Sequence, residues 1–187
     1  MKRNLPRRWR VALAQFVFYG AVIYAFIFMR IPIAGFQSPQ GLLGLALVIL
    51  GVATRSLSAG TIRKNAELAS TGLYVLVRHP LYLGSFLLAI GVNLIIWNPL
   101  IAGVTVALLL ITYVPTIRQE ETYLAGKFGE DWTRFAAQTP RLIPRLSRLG
   151  QVFPLEWSYA QWRRNHEYEA VLGATATLIL LFVYERL

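Results

Sequence analysis

Apolar positions along this chain gather into runs too long for one soluble core to hide. Residues 11–29 give 19 positions without a charge, and about 18 suffice to cross the hydrocarbon of a bilayer. A second run, 41–54, continues toward Leu57; Arg55 stands near its end, where a long stem lets the charge snorkel to the interface. Residues 81–97 and 98–117 are both uncharged and are divided by Trp97-Asn98-Pro99. That divider predicts a tight helical hairpin, because Asn98 can cap and Pro99 is tolerated at a first helical position. A fifth run of 15 residues, 170–184, either spans with local thinning or lies in the interface. The expected fold is an all-α integral membrane protein with about five transmembrane helices.

The polar stretches between these runs divide the chain into three expected parts. Residues 1–58 form a two-helix anchor whose outer loop, 30–40, is punctuated by Pro32, Ser38 and Pro39. Gly41, Gly44 and Gly51 let a neighbouring helix approach the second of them closely. Residues 59–145 hold the chemistry. Pro80 pushes His79 toward an extended conformation and suits the first turn of the next helix, so that helix's first amides open beside Arg78 and favour an anionic group. Gly72 supplies a turn that brings Tyr74 to the same space. After the hairpin, the helix through Glu120 and Glu121 ends at Phe128-Gly129. A short amphipathic helix over 130–137 then puts Trp132, Phe135 and Ala136 on one face. Residues 139–144 contain two prolines and read as an extended strap able to close over a site. Of the two glutamates, one is expected on a solvated face opposing Arg118 and Lys127, and Glu121 is favoured as the ligand. Residues 146–187 form a basic, aromatic interfacial segment and a C-terminal helix. Trp157, Trp162 and His166 there are read as interface anchors rather than catalytic groups.

Charge and composition sharpen this picture. With 56% hydrophobic and 15% charged residues and a mean hydropathy of +0.48, the bilayer is the expected solvent. A net charge of +10 would suggest nucleic acid in a soluble protein. Here five Lys/Arg lie in 1–10, four in 55–80 and eight in 118–169, leaving only Arg30 and Arg186 on the other side. That asymmetry predicts a cytoplasmic N-terminus and a cytoplasmic working surface, in a bacterial inner membrane, with no nucleic-acid partner. The basic start resembles a signal peptide, but its long apolar run lacks a small-residue cleavage site and reads as a retained anchor. Arg145, Arg148, Arg163 and Arg164 among aromatic residues suit anionic headgroups. Without cysteine, and with only His79 and His166, thiolate chemistry and an all-protein metal site are not expected.

The run Gly72-Leu73-Tyr74-Val75-Leu76-Val77-Arg78-His79-Pro80-Leu81-Tyr82-Leu83-Gly84 precedes the hairpin. Glu120-Glu121-Thr122-Tyr123-Leu124, Phe128-Gly129, Trp132, Phe135 and Arg141-Leu142-Ile143-Pro144 follow it. Together, in this order, they resemble the isoprenylcysteine carboxyl methyltransferase and phospholipid N-methyltransferase superfamily over roughly residues 65–145. The resemblance implies a membrane-embedded methyltransferase that uses S-adenosylmethionine held on the cytoplasmic side. Carried over by position, Gly72, Tyr74, His79, Pro80 and Tyr82 belong to the first cofactor-binding segment. Glu120 and Glu121 match the paired carboxylates, and Arg141, Leu142 and Pro144 belong to the closing strap. Arg78 and Glu121 are the expected catalytic pair. Many relatives carry a histidine where this chain has Ala66 and an arginine where it has Thr116, with Arg118 displaced by two. About forty residues follow the strap, which suggests a substrate or partner role.

The residues suit methyl transfer independently. In-line displacement at a sulfonium needs alignment more than an enzymic nucleophile, and orientation alone can be worth roughly 7–11 kcal/mol. Glu120, Glu121, Tyr74 and Tyr82 offer carboxylates and aromatic faces to a cation. Arg78 and the helix start at Pro80 suit a carboxylate, and Arg78 can alternatively orient an acidic acceptor. A lipid or prenylated acceptor would enter sideways between helices. Two other readings are open. The stretch 127–132 and the strap also resemble the C-terminal part of sterol reductases that use NADPH, and a noncatalytic scaffold would keep the same fold. The residues do not indicate an oligomeric state.

Overall fold

The computed structural model describes Gly20, residues 32–63 and residues 67–187; the expected first span, 11–29, lies outside these but for Gly20. Among the described residues all regular structure is helical. The order is α1 (Pro39–Thr61), a 3-10 turn (Gly72–Val75), α2 (Pro80–Ile96), α3 (Pro99–Gln138), a second 3-10 turn (Leu146–Gln151), α4 (Tyr159–Arg164) and α5 (Glu167–Glu185). By length and composition α1, α3 and α5 can each cross a membrane, and α2 is a shorter apolar helix. The protein is an all-α integral membrane protein.

Local chemistry starts these helices where the sequence predicts. Ser38 caps α1, its Oγ accepting the Gly41 amide at 2.9 Å, with Pro39 in the first turn. Asn98 caps α3 by accepting the Leu100 and Ile101 amides at 3.0 and 3.1 Å. Trp97, in the left-handed region at φ 54°, closes α2 and reverses the chain. The expected hairpin is therefore present. α3 runs for 40 residues, about 60 Å at 1.5 Å per residue and twice the thickness of the hydrocarbon. Its uncharged part ends at Ile117, so the polar remainder projects beyond the bilayer. Gly129 (φ 51°, ψ −118°) interrupts it, as expected for a stop there.

α1 and α2 pack antiparallel with their backbones nearly touching. A Cβ on Gly44 would stand 2.5 Å from the Gly91 carbonyl oxygen, and one on Gly51 would stand 2.8 Å from that of Gly84. Both pairs are reciprocal, because each helix places its two glycines seven residues apart, on one face.

The fifth run does not lie flat. The Glu167 carboxylate at the start of α5 meets Arg55 near the end of α1, and Glu185 at its other end accepts the Phe36 amide at 3.2 Å just before α1 begins. α5 thus covers the same distance as α1 in the opposite sense, with Leu181 packed among Ile95, Ile96 and Ile101. Arg55 corrects an expectation: its half-buried guanidinium turns toward α5 and α2 instead of snorkelling, because the buried Glu167 and the half-buried Ser85 offer partners that an interfacial position would forgo.

The segment before α5 clasps the last two turns of α1, where the final carbonyls have no partners within the helix. Trp157 Nε1–H donates to the Ser56 carbonyl, the Ser158 amide to that of Gly60, and Asn165 Nδ2 to that of Ala59. Trp157, expected as an interface anchor, lies against Gly60, where a Cβ would collide with its indole.

Candidate active site

Three segments far apart in sequence meet at the basic end of the hairpin. The first begins at Gly72, whose φ of +60° is one that a side chain would strain. The 3-10 turn it opens buries the Tyr74 ring. His79 follows at φ −125°, ψ 63°, and Pro80, fully buried, opens α2 with no side chain capping it. The second is the stretch of α3 from Tyr113 into its polar part. Tyr113 and Glu120 lie seven residues apart on one face, so the Tyr113 ring meets Tyr82 at 5.2 Å while Tyr82 Oη–H donates to Glu120 Oε2 at 2.6 Å. The third is the strap. It is extended at Thr139 (φ −117°, ψ 123°) and bonds to the first segment at two points. The Arg78 amide donates to the Pro140 carbonyl at 2.8 Å, and the Arg145 amide to that of Leu76 at 2.9 Å.

Glu121 joins all three. Its Oε1 accepts from Arg78 Nη1 at 2.8 Å, from His79 Nε2 at 3.2 Å and from Arg141 Nε at 3.0 Å, and its Oε2 accepts from Arg141 Nη2. Its side chain is 12% exposed and that of Arg78 16%, against 51% for Arg141. The Arg78 guanidinium also lies over the Trp132 ring at 5.9 Å. Gly129 makes this possible, since its positive φ redirects the chain so that the Trp132 face turns back to the site.

The electrostatics follow from this arrangement. Burial pushes the Glu121 carboxyl up, but hydrogen bonds from Arg141 and His79 and the charges of Arg78 and Arg141 outweigh it and hold it below the usual range. Burial depresses His79 by more than Glu121 and Glu120 raise it, with Arg78 adding to the depression, so the imidazole is neutral near pH 7. An ionised Glu121 can only accept, which assigns the proton to Nε2 and leaves Nδ1 as an acceptor. Desolvation, with the charges of Glu120 and Glu167 behind it, keeps the Tyr74 hydroxyl protonated. Two buried polar atoms in this region, Tyr74 Oη and Arg78 Nε, have no hydrogen-bond partner.

The structure thus brings together Tyr74, Arg78, His79, Tyr82, Glu120, Glu121 and Arg141, with Gly72 and Pro80 shaping their backbone. Leu142 and Pro144 are half-buried in the strap. The expectation that one glutamate faces solvent opposite Arg118 and Lys127 is corrected. Glu120 turns to Tyr82 and Glu121 to Arg78, because the hairpin presents both partners to the same end of α3. Arg118 is exposed, while Thr116 is buried and bonds back to the Thr112 carbonyl. Ala66 lies outside the described residues. Tyr113 and the contact between Trp132 and Arg78 were missed, although the seven-residue interval from Tyr113 to Glu120 could have revealed the first.

Comparison with known proteins agrees with the motifs. The profile of the isoprenylcysteine carboxyl methyltransferase (ICMT) family matches residues 43–126. A protein-S-isoprenylcysteine O-methyltransferase of Saccharomyces cerevisiae is 31% identical, covering 72% of this chain and 62% of its own length. A cobalt-zinc-cadmium resistance protein of Cupriavidus metallidurans is 34% identical over 57% of this chain and 49% of its own length. The Homo sapiens protein-S-isoprenylcysteine O-methyltransferase is 29% identical, over 54% and 40% respectively. The chain therefore spans about half the length of these relatives. No solved structure matches it.

Proposed function

The chain belongs to the isoprenylcysteine carboxyl methyltransferase superfamily of integral membrane proteins, and on that premise we propose that it transfers a methyl group from S-adenosylmethionine to a prenylated or comparably lipophilic acceptor. The reaction would run at the cytoplasmic face of a bacterial inner membrane, a reading supported by the seventeen of nineteen Lys and Arg residues expected on one side. The exposed arginines of residues 145–164 would rest among anionic headgroups there. The observation that carries the reading is the convergence of Arg78, His79 and Arg141 on Glu121.

The site suits the donor at both ends. Arg78, Arg141 and Glu121 leave one net positive charge, complementary to a carboxylate. Glu120, Tyr82 and Tyr113 form an anionic, aromatic wall, complementary to a cation. The unsatisfied Tyr74 Oη and Arg78 Nε fit a ligand that supplies acceptors. When bound, S-adenosylmethionine would supply an electrophilic methyl on a cationic sulfur. An ionised carboxylate acceptor needs no proton removed, so His79 can serve through Nδ1 as a positioning acceptor without acting as a base. The strap, tied to residues 76–78, would cover a bound donor on the side of Arg141.

Calorimetric titration of the detergent-solubilised protein tests this. S-adenosylhomocysteine should bind and NADPH should not, and labelled methyl donor should pass its label to a farnesylated cysteine. Binding of NADPH alone would point to a reductase, and binding of neither to a scaffold.

A further inference from the structure

The C-terminal helix buries a charge that the site as described does not use. Glu167, the first residue of α5, is 3% exposed. It holds Arg55 in a two-point contact, Nε to Oε1 at 2.8 Å and Nη2 to Oε2 at 3.0 Å. Arg55 continues to α2, where Nη1 donates to Ser85 Oγ at 2.6 Å and to the Leu81 carbonyl at 3.4 Å. Leu81 and Ser85 flank Tyr82, which holds Glu120. Burial first, and then the charges of Glu120 and Glu167, keep the Tyr74 hydroxyl, the group left without a partner, in its protonated form. Contacts therefore lead from α5 through Arg55 to the first turns of α2, the turns that also carry Tyr82 and its bond to Glu120. His166, held in the left-handed region at φ 56°, turns the chain from the clasp into α5 and sets Glu167 in place.

We infer that Glu167 is a positioning residue for methyl-donor binding, neutralising and orienting Arg55 so that an uncompensated cation does not stand beside the donor's sulfonium. This rests on the donor reading above. With Glu167 in place the Arg55 charge is matched by a carboxylate in direct contact. Without it, the guanidinium adds a positive charge to the wall where Glu120 and Tyr82 would receive a cation. Repulsion between unit charges about 10 Å apart in a partly buried setting amounts to roughly a tenfold change in affinity.

The donor and its product differ by the charge in question: the sulfonium of S-adenosylmethionine becomes the neutral thioether of S-adenosylhomocysteine. A merely structural Glu167 would move affinity for both together, whereas a charge-positioning Glu167 moves their ratio. In calorimetric titration of the full chain in detergent, Glu167→Gln should weaken S-adenosylmethionine about tenfold more than S-adenosylhomocysteine. The double variant Arg55→Met/Glu167→Met should return the ratio to within threefold of wild type. Arg55→Met alone should shift the ratio toward the donor, and it decides the matter if Glu167→Gln does not fold. An unchanged ratio in these single variants overturns the inference while leaving the donor reading intact. A wild-type protein that binds neither ligand overturns both.

Discussion

Replacing Glu121 by glutamine removes one negative charge and little volume, and the structure indicates what that costs. Breaking a fully buried ion pair by neutralising one partner costs about 3–5 kcal/mol, since the other charge is left desolvated. Arg78 and Glu121 are 16% and 12% exposed, so some water reaches the pair, and glutamine keeps one acceptor oxygen. These discounts bring the Arg78 contribution to about 2–3 kcal/mol. Arg141, half exposed, adds less than about 1 kcal/mol. The loss falls on the local arrangement of strap and turn, because the glycine-mediated packing of α1 on α2 involves none of these side chains. Calorimetric titration with S-adenosylhomocysteine should therefore show affinity reduced by roughly 30- to several hundredfold, with helicity by circular dichroism unchanged. Arg141→Ala should lose less than about tenfold, in keeping with its exposure. A Glu121→Gln protein that binds within threefold of wild type would show that the hub does not organise the donor site.

Three further outcomes are expected. Acidification should destabilise the fold in two stages. Below about pH 6.5 the unfolded chain takes a proton that the folded His79, depressed by burial, refuses. Below about 4.5 the unfolded chain likewise protonates a carboxyl that Glu121 keeps ionised when folded. Thermal midpoints in detergent should be flat above pH 7 and fall toward pH 5.5, and His79→Asn should remove the earlier decline. Gly91→Val places its Cβ 2.5 Å from the Gly44 carbonyl and 2.9 Å from the Val48 amide, both backbone atoms that cannot swing aside. It should cost about 1–3 kcal/mol, seen as a lower thermal midpoint, whereas Gly103→Ala, facing open space, should not. Tyr82→Phe deletes the 2.6 Å bond to Glu120; loss of a charge-assisted bond of about 1.5–3 kcal/mol should weaken S-adenosylmethionine by at least tenfold in titration.

Much of this molecule is written locally. The apolar runs, the Asn98-Pro99 start of α3 and the stop at Gly129 are each decided by residues within a turn or two of one another, and periodicity and capping make them legible. The glycines of α1 could be read as contact points. Their partners Gly84 and Gly91 became evident only once α2 lay antiparallel, because pairing across a helix interface depends on register rather than on composition. The motifs around His79, Glu120 and Arg141 could be read as one site, since the intervening hairpin is a single tight reversal that must return the chain to the side it left.

Charge partnership was decided elsewhere. From the chain alone, Arg55 was an interfacial cation and Glu120 or Glu121 a solvated face, because a side chain's nearest neighbours in sequence are all that a linear reading can supply. The fold instead gives Arg55 a carboxylate 112 residues away and gives Glu121 an arginine 43 residues away. Hydrophobic pattern is a property of segments and survives being read in order. An ion pair belongs to two points in space, and whether the cost of desolvating them is recovered depends on which helices stand beside each other. That arrangement exists only once α5 has folded back along α1 and the strap has closed against residues 76–78.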